Sequence, residues 1–156
     1  MYLEKFSKRL KELMELEGLS VRALSLKINV ERRSIRLWLA GKFFPRYDAL
    51  IKLSVFFGVR IDYLLGRDDT LIETNRTNID IETIDFNIVP IEFGQKFSYI
   101  LRKYNLTRYA VSKSLNVDAK SVSKWLTGKS LPETVNLIKL ANLAELSVDE
   151  LLGQEY

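Results

Sequence analysis

The chain writes one passage twice, as SIRLWLAGKFFP over 34–45 and as SVSKWLTGKSLP over 121–132. These passages belong to a longer repeat. A shift of 87 residues sets Phe6 on Phe93, Leu19 on Leu106, Ala23 on Ala110, Trp38 on Trp125 and Pro45 on Pro132. It continues without a gap to Leu64-Leu65-Gly66 and Leu151-Leu152-Gly153, and about a third of the positions are identical. A chain of 156 residues built this way is expected to fold as two similar small units. The copies are too few, and the period too long, for a solenoid.

Each copy reads as five helices. Phe6, Leu10, Leu13 and Met14 recur at helical spacing, which predicts an amphipathic first helix. It stops at Gly18, where a left-handed residue can end a helix, and the second copy has the tolerant Asn105 there. Ser20 and Thr107 suit the N-cap of a second helix over 21–28 and 108–115, with Ala23, Leu24 and Ile28 turned inward. Asn29-Val30 and Asn116-Val117 make a tight turn. A third helix over 31–40 and 118–127 ends at Gly41 and Gly128. Pro45 and Pro132 introduce a fourth helix, and VRIDYLLG and LSVDELLG close with a short fifth. On the third helix, Ile35, Trp38 and Leu39 share a face, as do Val122, Trp125 and Leu126. That face is expected to be core, since an aromatic at helical spacing usually packs.

Composition removes several function classes. Apolar residues are 47% and charged residues 28%, which suits a folded chain rather than a disordered one. There is no cysteine and no histidine, so the commonest nucleophilic thiol, general base and zinc ligands are missing. No phosphate-binding or dinucleotide glycine pattern appears. The expectation is a protein that is not an enzyme and takes neither metal nor cofactor. No apolar run reaches the roughly 18 residues of a membrane span. The opening MYLEKFSKRLKEL lacks a signal peptide's apolar centre, so a cytoplasmic location away from membranes is expected.

Charge is unevenly spread. Residues 1–66 hold 13 Lys/Arg against 7 Asp/Glu, residues 67–92 hold 2 against 7, and residues 93–156 hold 9 against 6. Two basic blocks flank an acidic one. Basic lobes suit a polyanionic partner.

Two short helices joined by a tight turn, with a small alanine where they cross, form a helix-turn-helix. The stretch FSKRLKELMELEGLS, IRLWLAGKFFP and LIKLSVFFGVRIDYLLG resembles the lambda-repressor-like, Xre-type helix-turn-helix domain of bacterial and phage regulators. The resemblance covers nearly all of 4–67 and, more loosely, 91–153. It implies an all-α chain of two tandem five-helix domains, 1–67 and 91–156, joined by an acidic, partly extended linker over 68–90. It also implies a sequence-specific regulator of transcription, a repressor, whose partner is double-stranded DNA.

What the resemblance implies for residues follows from the major groove, which admits one helix and meets its N-terminal end. The base-reading positions carried over are Arg32, Arg33, Ser34 and Leu37, then Ala119, Lys120, Ser121 and Lys124. Arginine offers a fork to guanine, and leucine or alanine packs on a thymine methyl. Phosphate contacts carried over are Ser20, Arg22, Arg36, Lys42 and Arg46, then Thr107, Arg108 and Lys129. Such contacts fix register and affinity rather than sequence preference. The second copy departs from the first, with Glu133 in place of Arg46 and Asp118 in place of Glu31.

In the middle segment Ile79, Ile81, Ile84, Phe86 and Ile88 recur at nearly period two, which predicts a strand over 79–89. One reading lays it against a lobe as an ordered connector. The other makes it a pairing edge for a second chain, and so a route to a homodimer. Phe43, which faces Ser130 in the repeat, offers another surface for a partner. The competing function is an antitoxin-like or regulatory interaction module in which one copy has lost DNA binding.

Overall fold

A computed structural model describes residues 1–154, and the regular structure among them is helical throughout. The chain divides into two compact units after Ile84.

The first unit contains α1 (Tyr2–Leu16), α2 (Val21–Ile28), α3 (Arg32–Leu39), α4 (Tyr47–Phe57) and α5 (Ile61–Leu64). The second contains α6 (Ile88–Lys103), α7 (Arg108–Leu115), α8 (Ala119–Leu126), α9 (Thr134–Ala144) and α10 (Val148–Leu151). The bounds of α7 to α10 are those of α2 to α5 moved by the 87-residue shift. No helix is long and apolar enough to cross a membrane among the described residues.

The helix ends follow the sequence. Gly18 and Asn105 have φ of +63° and +51°, and they close α1 and α6. Leu19 N–H then donates to Met14 and Leu106 N–H to Leu101, each at 2.8 Å, which satisfies carbonyls the helix leaves open. The third helices are shorter than the expected 31–40 and 118–127, because Glu31, Ala40, Asp118 and Thr127 are caps rather than helical residues.

In the first unit Phe6, Leu10, Leu24, Ile28, Ile35, Leu50 and Leu53 are fully buried. Each such side chain contributes about 1.5–3 kcal/mol relative to exposure. The second unit is built around Phe93, Phe97, Val122 and Leu137. Phe97 packs 6.0 Å from the Trp125 ring and 5.6 Å from Phe93. Trp38 and Trp125 are core, at 5% and 4% exposure. Leu39 and Leu126, expected with them, are only half-buried because they lie at the edge of that face.

The acidic segment differs from the expected linker in two ways. Residues 67–84 belong to the first unit and are packed on it. Arg9 donates to the carbonyls of Tyr63 and Asp68 and pairs with Asp69, and its guanidinium lies 4.3 Å from the Tyr63 ring centre. Arg67 pairs with Asp62 at 2.6 Å. Thr74 is buried, and its N–H donates to the Gly58 carbonyl at 2.8 Å. Second, the strand expected over 79–89 is not formed. Ile81–Thr83 is a 3-10 turn capped by the Asp80 carboxylate, and α6 has begun by Ile88. Asp80 and Asp85 each accept a backbone N–H two residues on, which bends the chain where period two suggested extension. The alternating residues form no buried face, since Ile79 and Ile88 are exposed. A homodimer through a paired strand edge at 79–89 therefore loses its structural basis.

Candidate nucleic-acid interface

The site begins at the start of α2. Ser20 Oγ accepts the Ala23 N–H at 3.0 Å, and Thr107 Oγ1 accepts the Ala110 N–H at the same distance. The turn after α2 passes through Asn29 at φ +53°, and that after α7 through Asn116 at φ +54°. Ser25 Oγ donates to the Val30 carbonyl and Ser112 Oγ to the Val117 carbonyl, both at 2.6 Å. The start of the second helix and the turn to the third are thus set by the same three devices in each copy.

The third helix is held by its buried face, Ile35 and Trp38 in α3, Val122 and Trp125 in α8. Its far end closes the same way in both units. Gly41 and Gly128, at φ +69° and +73°, donate to the Trp38 and Trp125 carbonyls. Lys42 N–H donates to Leu37 and Lys129 N–H to Lys124, at 3.0 and 2.9 Å. This pair of hydrogen bonds pins the backbone of both lysines beside the third helix.

On the outer face, Arg32, Arg33 and Arg36 are exposed, and Ser34 and Leu37 are half-buried. In α8, Ala119, Lys120 and Lys124 are exposed and Ser121 is half-buried. Ser34 and Ser121 lie inside their helices. The cap of α8 is Asp118, whose carboxylate accepts the Lys120 N–H at 3.0 Å, while Glu31 makes no such bond. Of the positions flanking the third helix, Ser20, Arg22, Lys42, Arg46, Thr107, Arg108 and Lys129 are all exposed. Among the described residues, none of Arg32, Arg33, Arg36, Lys120 and Lys124 is paired with a carboxylate. Tyr47, next to Arg46, has its phenol pushed above the ordinary 10.0 by burial and by Asp48, against the opposing pull of Arg46.

Two features escaped the residue-by-residue reading. Arg108 stands where the first copy has Val21, and the partner of Arg22 is Tyr109, 69% exposed with the Lys113 ammonium 5.4 Å from its ring centre. Strict use of the 87-residue shift identifies it. The second feature is the Arg9 clamp, for which a single arginine in an amphipathic helix gives no signal.

A family model described as helix-turn-helix matches residues 10–64 and again 98–151. The HTH-type transcriptional activator BcrR of Enterococcus faecalis is 28% identical over 126 residues, 72% of this chain and 61% of that protein. The HTH-type transcriptional regulator ImmR of Bacillus subtilis is 32% identical over 78 residues, half of this chain and 61% of that protein. The cryptic phage CTXphi transcriptional repressor RstR of Vibrio cholerae is 34% identical over 50 residues, 32% of this chain and 45% of that protein. The chain spans about three-fifths of the length of the first two of these relatives. No solved structure matches it. With the family model placed on both copies of a repeat whose turns and caps coincide, the chain belongs to the Xre-type helix-turn-helix family twice over.

Proposed function

We propose that the protein is a sequence-specific, double-stranded DNA-binding regulator of transcription that represses by occupying an operator. In this reading α3 and α8 enter the major groove. Arg32, Arg33, Ser34 and Leu37, then Ala119, Lys120, Ser121 and Lys124, meet base edges. Ser20, Arg22, Arg36, Lys42 and Arg46, then Thr107, Arg108 and Lys129, hold phosphates.

The observation that carries the reading is the exposed cationic face of each third helix, whose named cations pair with no carboxylate among the described residues. A merely solubilising face tends to interleave both signs and to neutralise itself locally. These faces do neither, and they stand on helices whose orientation is rigidly set. RstR, named a repressor, supports the mode of action, whereas BcrR is named an activator.

The test is duplex binding against competitor DNA over a range of salt. If about six phosphates are neutralised, log K falls with log salt at a slope near −5. A flat response sinks the reading. Transcription in vitro from a promoter carrying the selected site gives the direction of control. A fall is expected, and a rise would make the protein an activator.

A further inference from the structure

We infer that the two units are unequal readers of DNA: the first supplies most of the phosphate contacts, and the second docks weakly on a different base sequence, held back by Glu133. The operator is therefore two unlike half-sites. This rests on the DNA-binding reading proposed above.

The frameworks coincide, so a difference in side chain is a difference in what DNA meets. The N-caps of α2 and α7, the turns that follow these helices and the C-terminal ends of α3 and α8 are closed by equivalent bonds at nearly equal distances. Arg46 and Glu133 are the N-caps of α4 and α9, each 11 residues long. Their backbones match, at φ −72°, ψ 171° and φ −61°, ψ 156°, and neither side chain bonds its own helix. Both are exposed. The charge at this place is thus free to act outward, and it is +1 in one unit and −1 in the other. A carboxylate at a helix N-terminus is favourable to the helix but repels a phosphate arriving there.

The change at Glu133 is not isolated. Arg22 is replaced by neutral Tyr109, and the Lys42-Phe43 pair by Lys129-Ser130. On the reading helices, the rigid forks of Arg32 and Arg33 give way to Ala119 and the point charge of Lys120. Arginine selects guanine by two parallel bonds, whereas alanine accommodates a thymine methyl. Such faces cannot prefer the same bases. A protein reading a palindrome uses two identical faces, which this chain does not have.

The experiment uses the full chain on a duplex selected from random sequence. Glu133→Arg is expected to tighten binding and to steepen the salt slope by about 0.9. Its advantage over the unmodified chain should then shrink about 3-fold between 50 and 200 mM salt. Glu133→Gln, which removes only the charge, should tighten binding less and leave the slope nearly unchanged. Both substitutions fall on an exposed N-cap residue whose side chain makes no capping hydrogen bond, so the cost to the fold is limited to the lost helix-end charge, which a thermal melt run alongside measures separately from binding. If both bind with the original affinity and slope, the second unit does not approach DNA and the inference fails. A perfectly palindromic selected site overturns it too. Arg46→Glu, measured in parallel, is expected to weaken binding and flatten the slope. Should it change nothing, Arg46 holds no phosphate and the contrast with Glu133 falls; should the full chain select no duplex at all, the DNA-binding reading itself falls, along with what is built on it.

Discussion

Ser7 Oγ donates to the Trp38 carbonyl at 2.5 Å, tying α1 to the end of α3 from inside the unit. The repeat puts Gly94 in the place of Ser7. A Cβ on Gly94 would lie 2.8 Å from the Trp125 carbonyl oxygen and 3.0 Å from that of Leu126. The second unit therefore replaces a hydrogen bond by direct backbone contact, and α6 lies too close to α8 for any side chain at 94. Gly94→Ser is expected to destabilise the second unit by about 1–3 kcal/mol, because backbone must move to admit it. Ser7→Ala should cost the first unit about 1 kcal/mol, the usual worth of one hydrogen bond. Urea unfolding followed by tryptophan fluorescence reads both, with one tryptophan in each unit. An unchanged midpoint for Gly94→Ser would contradict the close approach.

Glu145 ends α9 at φ +56°, in the place where Gly58 ends α4 at φ +65°. A left-handed backbone costs a residue with a Cβ about 1 kcal/mol or more. Glu145→Gly should therefore stabilise the second unit by about 1 kcal/mol, after a small loss from greater freedom in the unfolded chain. The reciprocal change is harsher. Gly58→Ala adds the same strain and sets its Cβ 2.6 Å from Thr77 Cγ2. Adding Thr77→Ala should recover part of that loss. Thermal melts of the single and double variants decide it, and no recovery would mean that Thr77 is not pressed against Gly58.

How much was legible depended on whether local chemistry or distant packing made the choice. Helices two to five of each copy could be read because a cap or breaker brackets them, as Ser20 and Asn29 bracket α2. The burial of Trp38 followed from its spacing with Ile35. The middle segment was misread because isoleucines at period two also arise in turns, and Asp80 and Asp85 decide for turns by accepting nearby N–H groups. Docking of 67–84 depends on Arg9, some sixty residues earlier, and no local pattern announces such a pairing. The proposed reading face rests on family likeness and the repeat, since Arg33 alone looks like any solvated arginine.

The Arg9 clamp predicts an asymmetry between its two ion-pair partners. The Arg9 side chain is 14% exposed and Asp69 is 80% exposed. Exposed pairs contribute about 0–1 kcal/mol, so Asp69→Asn should barely move the melting temperature. Arg9→Ala also strips donors from the Tyr63 and Asp68 carbonyls and removes packing on Tyr63. It should cost about 1.5–3 kcal/mol, in the range of hydrogen bonds made by a charged group. Proteolysis within 67–84 should accelerate in Arg9→Ala and not in Asp69→Asn. Equal behaviour of the two variants would reduce the clamp to its surface ion pair.

On the proposed reading, Arg33 and Lys42 separate base reading from phosphate holding within one unit. Arg33 is exposed on the first turn of α3, and Lys42 is exposed just beyond its C-terminal glycine. Neither is paired with a carboxylate among the described residues, so substituting either removes little from the fold. Arg33→Ala should weaken the selected site by about 1–3 kcal/mol, the discrimination of one bidentate contact. It should also flatten the preference at a single base position and leave the other positions as they were. Lys42→Ala should weaken every sequence by a similar factor and reduce the salt slope by about one unit. Binding to a panel of single-base operator variants, each at two salt concentrations, reads both signatures at once. If the two variants produce the same profile, Arg33 holds the backbone and the groove-facing assignment of α3 must be rotated.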